Sequence, residues 1–227
     1  MPLKLLIFDL DGTLVDSSID ITNAINYAIG PYGFNHLTPK ETISLIGEGV
    51  TKLIEKLIAK HTDLSSIPQS SRAQNQSLDK DILVKRFLEH YSLHLTDNTT
   101  IYPGVRETLE NLNKYKKAII SNKRENLTLK ILEVLKILDY FDLVVGSDTT
   151  PEKKPSPVPV NYVLSKLNIK NSESAIIGDS IFDIEAGKKA GVKTIAVTYG
   201  YRPAESLKGA DFLIAHMDEL ENVLKVI

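Results

Sequence analysis

The sequence predicts an α/β fold, a doubly wound parallel sheet with a helical domain inserted into it. Three observations carry that prediction. Short, continuous apolar runs recur along the chain, and each is followed by turn formers and then by a helix-period stretch, the pattern of strands buried on both faces and joined by crossover helices. One long segment near the start breaks this alternation and holds helical patterns alone. The 227 residues, 42% hydrophobic and 25% charged, are enough for one large domain or two modest ones.

The first apolar run is "LKLLIF", ending at Phe8. Three others share its look: "KKAIIS" ending at Ser121, "ESAIIGD" ending at Asp179 and "VKTIAVT" ending at Thr198. "DLVVG", around Val144 and Val145, is a further strand. Between them, Glu125 to Leu135 carries apolar residues at helical spacing, Val158 to Leu167 repeats the habit, and "IFDIEAGKKAG" ends on a glycine suited to a helix C-terminus. Residues 17–95 offer "DITNAINYAIG", "TPKETISLIG", "VTKLIEKLIAK" and "DILVKRFLEHYSLHL", helical patterns with no buried strand between them. The predicted organisation is therefore a core of residues 1–16 and 96–227 and a helical cap of residues 17–95, joined through the turn-rich "VDSS" and "TDNTTIYPG". Within the cap, the polar stretch from Asp63 to Asp79 reads as a mobile connection between helices.

Charge and cysteine content exclude several function classes. With 27 basic and 29 acidic residues the formal net charge is -2, so there is no global basic field for nucleic acid or an anionic membrane. The absence of cysteine removes disulfides, thiolate nucleophiles and thiolate metal sites together. No apolar run approaches the length of a membrane span, and Asp9 and Asp11 interrupt the first one too early for a signal peptide, so a cytoplasmic location is expected. The five histidines show no metal-ligand pairing.

The chemistry gathers at strand ends. Asp9 and Asp11 stand one residue apart at the mouth of the first strand, where ionised carboxylates are costly to desolvate and repel each other unless a cation or a shared proton compensates. In open parallel sheets reactive groups collect at the carboxyl edge, beside the topological switch point. Ser121 and Asn122 lie at a second strand end, Asp179 with Asp183 at a third, and Lys154 follows a further strand in "EKKPSP", where Pro155 keeps the preceding residue out of helical geometry. Taken singly, each has a plainer reading: a turn for Asp9 and Asp11, a helix N-cap for Ser121 or Asn122, support of a helix N-terminus for Asp183, and a solvated loop lysine for Lys154, with Lys153 beside it able to exchange roles.

In this order, "DLDGT" at Asp9 to Thr13, "SNK" at Ser121 to Lys123, "KPSP" at Lys154 to Pro157 and "GDSIFDIEAGKKAG" at Gly178 to Gly191 resemble the four motifs of the haloacid dehalogenase-like phosphatase superfamily. "IGEGVTKLI", "YPGV" and "VTYGYRPAESL" look like its phosphoglycolate phosphatase branch, and the insert looks like the family's type 1 cap. The resemblance implies a Rossmann-like core and a magnesium-dependent phosphatase acting on a small phosphate ester, 2-phosphoglycolate first, as a monomer or homodimer. It implies Asp9 as nucleophile and Asp11 as general acid and then general base. Lys154 would shield charge, and Ser121, Asn122, Gly12 and Thr13 would line the phosphate site, with Thr13 bracing the loop through its hydroxyl. Magnesium would be held by Asp9, the main-chain carbonyl of Asp11, Asp179 and Asp183. Gly47 and Gly49 in "GEGV" would admit a small substrate close to the cap backbone. A hexose-phosphate mutase on the same scaffold and a non-catalytic phosphate-binding protein are the alternatives. A dehalogenase would not need Asp179 and Asp183, and a phosphonate hydrolase would need a reactive cap lysine, for which Lys52 stands in the right region.

Overall fold

The computed structural model describes residues 2–62 and 79–227. The chain packs as two compact units, Met1–Ser17 with Thr99–Ile227, and Ser18–Asn98. The expected connection from Asp63 to Asp79 lies outside the described residues apart from Asp79, which caps the helix that follows it.

Strand β1, Leu5–Phe8, has all four side chains fully buried. A two-residue strand β2, Val15–Asp16, leads out of the loop after it. The Ser18–Asn98 unit contains α1 Ser18–Ile29, α2 Pro39–Ile43, α3 Val50–Thr62 and α4 Lys80–Leu93. Within this unit, Arg86 of α4 donates to the main-chain carbonyls of Tyr27 and Ala28 at the end of α1. Asn98 donates its main-chain and side-chain N–H groups to Asp20 in the first turn of α1, at 2.8 to 3.0 Å. Thr38 and Glu41 form a reciprocal capping box at α2.

The chain returns through β3, Thr100–Ile101, which pairs antiparallel with β2. Both joints, expected as turn-rich linkers, thus contain a short ribbon; two residues per strand are too few to leave a period in the sequence. Next come α5 Val105–Asn111, β4 Lys116–Ile120, α6 Glu125–Val134, β5 Leu143–Val145, α7 Val158–Leu167, β6 Ser174–Gly178, α8 Ile181–Ala190, β7 Lys193–Val197, β8 Phe212–Ile214 and α9 Leu220–Val223. Strand β8 was not anticipated. Its three residues carry one buried position, so it presents neither an apolar run nor an alternation.

The main sheet is parallel throughout, in the order β5-β4-β1-β6-β7-β8. From β1 the chain builds outward through β4 and β5, then crosses back to β6 and builds the other half. The switch point therefore lies beside β1, with β4 and β6 as its immediate neighbours. One face of the sheet packs Leu5, Ile7, Ala118, Ile120 and Ile176 against Val160, Val163 and Leu164 of α7 and Ala186 and Ala190 of α8. Burial on both faces explains the unbroken apolar runs. Among the described residues no helix is long and apolar enough to cross a membrane.

Candidate active site

Three adjacent strands deliver the site. Asp9 follows β1, Ser121 follows β4 and Asp179 follows β6. Asp9 is tied to β6 by its own main-chain N–H, which donates to Ile177 at 2.9 Å. Lys154, from the loop between β5 and α7, reaches back under these ends. Its side chain is 2% exposed, and its ammonium lies 2.8 Å from Asp9 Oδ1 and 2.6 Å from Asp183 Oδ1 and donates to the Ile120 carbonyl at 2.7 Å. Lys154, not Lys153, thus faces the carboxylates. Burial alone would lower the Lys154 ammonium, but Asp183 and Asp9 outweigh it and the net direction is upward, so it stays charged.

The carboxylates exceed the charge that this lysine supplies. Asp9, Asp179 and Asp183 each offer an oxygen within 4.8 Å of the others. Burial raises Asp9 to about 7, helped by Asp183 and opposed by Lys154. Asp179 is raised well above the ordinary carboxylate range, by burial first and then by Asp9 and Asp183, although the Tyr201 N–H donates to it at 2.7 Å. Three buried carboxylates, of which Asp9 and Asp183 share the Lys154 ammonium and Asp179 feels Arg202 only as the smallest of its influences, form a donor set of hard oxygens that fits a divalent cation.

Asp183 has two duties. As the third residue of α8 it completes a capping box with Ser180, whose hydroxyl and main-chain N–H donate to Oδ2 at 2.5 and 3.1 Å, while Oδ1 meets Lys154. Helix support and site membership coexist in one side chain. Ser121 is not a helix N-cap: α6 is capped at Arg124, and the Ser121 hydroxyl accepts the Lys123 N–H at 3.1 Å. Asn122 donates to the Lys154 carbonyl at 3.0 Å and so fixes the lysine's loop against β4.

The "DGT" turn is closed by its backbone. Gly12 and Thr13 donate to Val15 and Leu10, and Leu14 to Leu10, at 2.9 to 3.2 Å. The expected brace through the Thr13 hydroxyl is absent: that oxygen is buried without a hydrogen-bond partner, and the residue is held instead by its carbonyl, which accepts from Tyr199 at 2.7 Å. Gly12 has φ +82°, and a Cβ there would lie 2.3 Å from Asp179 Oδ2. Its want of a side chain admits Asp179 whatever else approaches it.

A profile of haloacid dehalogenase-like hydrolases matches residues 6–197. The chain belongs to the haloacid dehalogenase-like hydrolase family. Similar members include phosphoglycolate phosphatases from Chromobacterium violaceum, 38% identical with 98% of this chain and 97% of that protein covered, and from Aquifex aeolicus, 35% identical with the same coverages. A crystal structure described as a putative phosphoglycolate phosphatase from Lactobacillus delbrueckii subsp. bulgaricus superposes with a TM-score of 0.87 at 26% identity, covering 99% of each chain.

Several residues of this haloacid dehalogenase-like hydrolase were not singled out by sequence reasoning. Lys123 pairs with Asp11 at 2.6 Å, and Ser17 donates to the same carboxylate at 2.5 Å. Gly200 is packed so tightly that a Cβ would fall 2.3 Å from the Gly12 carbonyl oxygen and 2.4 Å from Asp179 Cβ. Tyr201 adds a hydroxyl that accepts the Ser17 N–H and donates to Asp16. Lys123 and Tyr201 lie inside "SNK" and "VTYGY", yet nothing in either string reveals its partner. In the other unit, Gly47 and Gly49 have φ of 118° and 80°, which supplies a backbone reason for glycine at both positions. Lys52 is exposed and paired with Glu55 at 2.7 Å, and that contact holds its ammonium above the usual range, the opposite of a Schiff-base lysine.

Proposed function

We propose that this chain is a magnesium-dependent phosphomonoester hydrolase that works through an aspartyl-phosphate on Asp9, with 2-phosphoglycolate as its substrate. The observation that carries the reading is the convergence of Asp9, Asp179, Asp183 and Lys154 from two neighbouring strand ends and the loop beyond a third strand. The relatives' names support the substrate.

In this reading an Asp9 carboxylate oxygen attacks phosphorus, the phosphorus–oxygen bond to the leaving group breaks, and Asp11 gives that oxygen a proton. Water then attacks the phosphorus of the acyl phosphate and yields its proton to Asp11, and phosphate departs with Asp9 restored. Lys154, held by two carboxylates and a carbonyl, offsets charge as nucleophile and phosphate approach. The Ser121 hydroxyl and the main-chain N–H groups of Asp11 and Asn122 would receive the phosphoryl oxygens, since those of Gly12 and Thr13 close the turn itself. Asp9, Asp179, Asp183 and the Asp11 carbonyl would hold magnesium, which when bound supplies positive charge to the phosphoryl group. The reading also makes the protein cytoplasmic, as a monomer or homodimer.

The test is a panel of phosphomonoesters scored by kcat/KM with magnesium and with chelator. The expected result is the highest value for 2-phosphoglycolate, release of inorganic phosphate, dependence on the metal, and no steady turnover in Asp9→Asn. Near wild-type turnover in that variant overturns the nucleophile assignment. An isomerised sugar phosphate in place of free phosphate supports a mutase.

A further inference from the structure

We propose that Lys123 is a positioning residue for Asp11, engaging one carboxylate oxygen so that the other is the one that exchanges the proton with the leaving group and with water. The inference rests on the proton-transfer role given to Asp11 above.

Two lysines at this end of the sheet, Lys154 buried and Lys123 partly buried, have separate partners. Lys154 serves Asp9 and Asp183, whereas the Lys123 ammonium lies 2.6 Å from Asp11 Oδ1. Ser17 Oγ donates to that same oxygen at 2.5 Å. Both donors therefore end on Oδ1. An ammonium has no lone pair, so an oxygen facing it acts only as an acceptor, and a proton carried by the Asp11 carboxyl belongs on Oδ2.

Both anchors are firm. The Lys123 and Asp11 side chains are 8% and 13% exposed. Lys123 comes from the loop after β4, where its main-chain N–H is bonded to Ser121 Oγ. Ser17 comes from the end of β2 and donates its own N–H to the Tyr201 hydroxyl at 2.9 Å. Asp11 is thus gripped from two directions by elements that meet only in the folded core. A carboxylate free to turn about its last torsion would offer either oxygen in many orientations. One oxygen held by two donors converts proton transfer into a step between prearranged groups, and misplacing such a group can cost on the order of 10²-fold in rate.

A buried ion pair kept only for stability would have a different signature, and the leaving group separates the two. In Lys123→Met, phospho-enzyme formation from 2-phosphoglycolate, whose alkoxide leaves poorly without a proton, should slow on the order of 10²-fold. Formation from p-nitrophenyl phosphate, which leaves unaided, should slow by less than about fivefold. KM should change little for either ester. The Asp11→Asn/Lys123→Met double variant should match Asp11→Asn within about threefold, because a positioning residue has nothing left to position. Ser17→Ala removes the second donor with little change of shape, and should show the same alkyl-selective loss at smaller size; it carries the test if Lys123→Met does not fold. Equal slowing of both esters in these variants, or multiplicative losses in the double variant, overturns the proposal. If Asp11→Asn itself fails to distinguish the esters, the acid assignment falls and the proposal with it. If Asp11→Asn distinguishes them and neither partner variant does, the proposal alone falls.

Discussion

Lys154→Met is the most informative single change for the electrostatics of the site. The substitution keeps most of the side chain's length and apolar stem and removes only the charge. In the folded protein it leaves Asp9 and Asp183 without the ammonium now 2.8 and 2.6 Å away, and leaves the Ile120 carbonyl without its donor. Removing one partner of a buried pair costs about 3–5 kcal/mol because the remaining charge is stranded. With a urea m-value of about 2–3 kcal/mol/M, the unfolding midpoint should fall by roughly 1–2.5 M at pH 8 in chelator. The assay is far-ultraviolet circular dichroism, since the chain has no tryptophan to report by fluorescence. The pH dependence has a definite sign. Asp9 titrates at about 7 when folded against an ordinary 3.8, so between those values the folded state binds more protons than the unfolded state. The stability linked to Asp9 is complete below about pH 4 and is lost as pH rises through about 7. Lys154 opposes that rise, so without it the folded carboxyl moves higher still. The deficit of the variant relative to wild type should therefore be largest at pH 8, shrink toward pH 5, and shrink also when millimolar magnesium is added. A variant as stable as wild type at pH 8 in chelator, or a deficit that widens as pH falls, would refute this account of the cluster.

Two further substitutions test the acidic cluster and the turn beside it. Asp179→Ala should raise the magnesium concentration needed for half-maximal rate on the order of tenfold or more, because a hard cation loses one of three protein carboxylates; an unchanged metal titration rejects that role. Gly12→Ala should lose about 1–3 kcal/mol of stability through its left-handed φ of +82° and should weaken magnesium activation as well, since the new Cβ would displace Asp179 Oδ2 from 2.3 Å; unaltered metal dependence in a folded variant argues against the contact.

Much of the core was legible in sequence because its information is local. Strands β1, β4, β6 and β7 are buried on both faces and show as continuous apolar runs, and α6, α7 and α8 show as 3.6-residue periods that end where the structure ends them, to within a residue. Elements of two or three residues, β2, β3 and β8, carry too few positions for any period, and pairing partners as distant as Val15 and Ile101 supply the order instead. The branch-level resemblance was legible for a related reason: its motifs are runs of consecutive residues.

The sequence by itself determined that Asp9, Ser121 and Asp179 end strands of one parallel sheet, because strand and turn formation depend on neighbours within a few residues. Only the tertiary structure decided how charge is shared among them. That Lys154 serves Asp9 and Asp183 while Lys123 serves Asp11, that Asp183 caps its helix and also meets a lysine, and that Gly200 and Gly12 together make room for Asp179 are all contacts between distant segments. The physical reason lies in range. A side chain's rotamer and its partner are set by packing and desolvation where strands from both halves of the chain converge, and none of those neighbours stands beside it in the sequence.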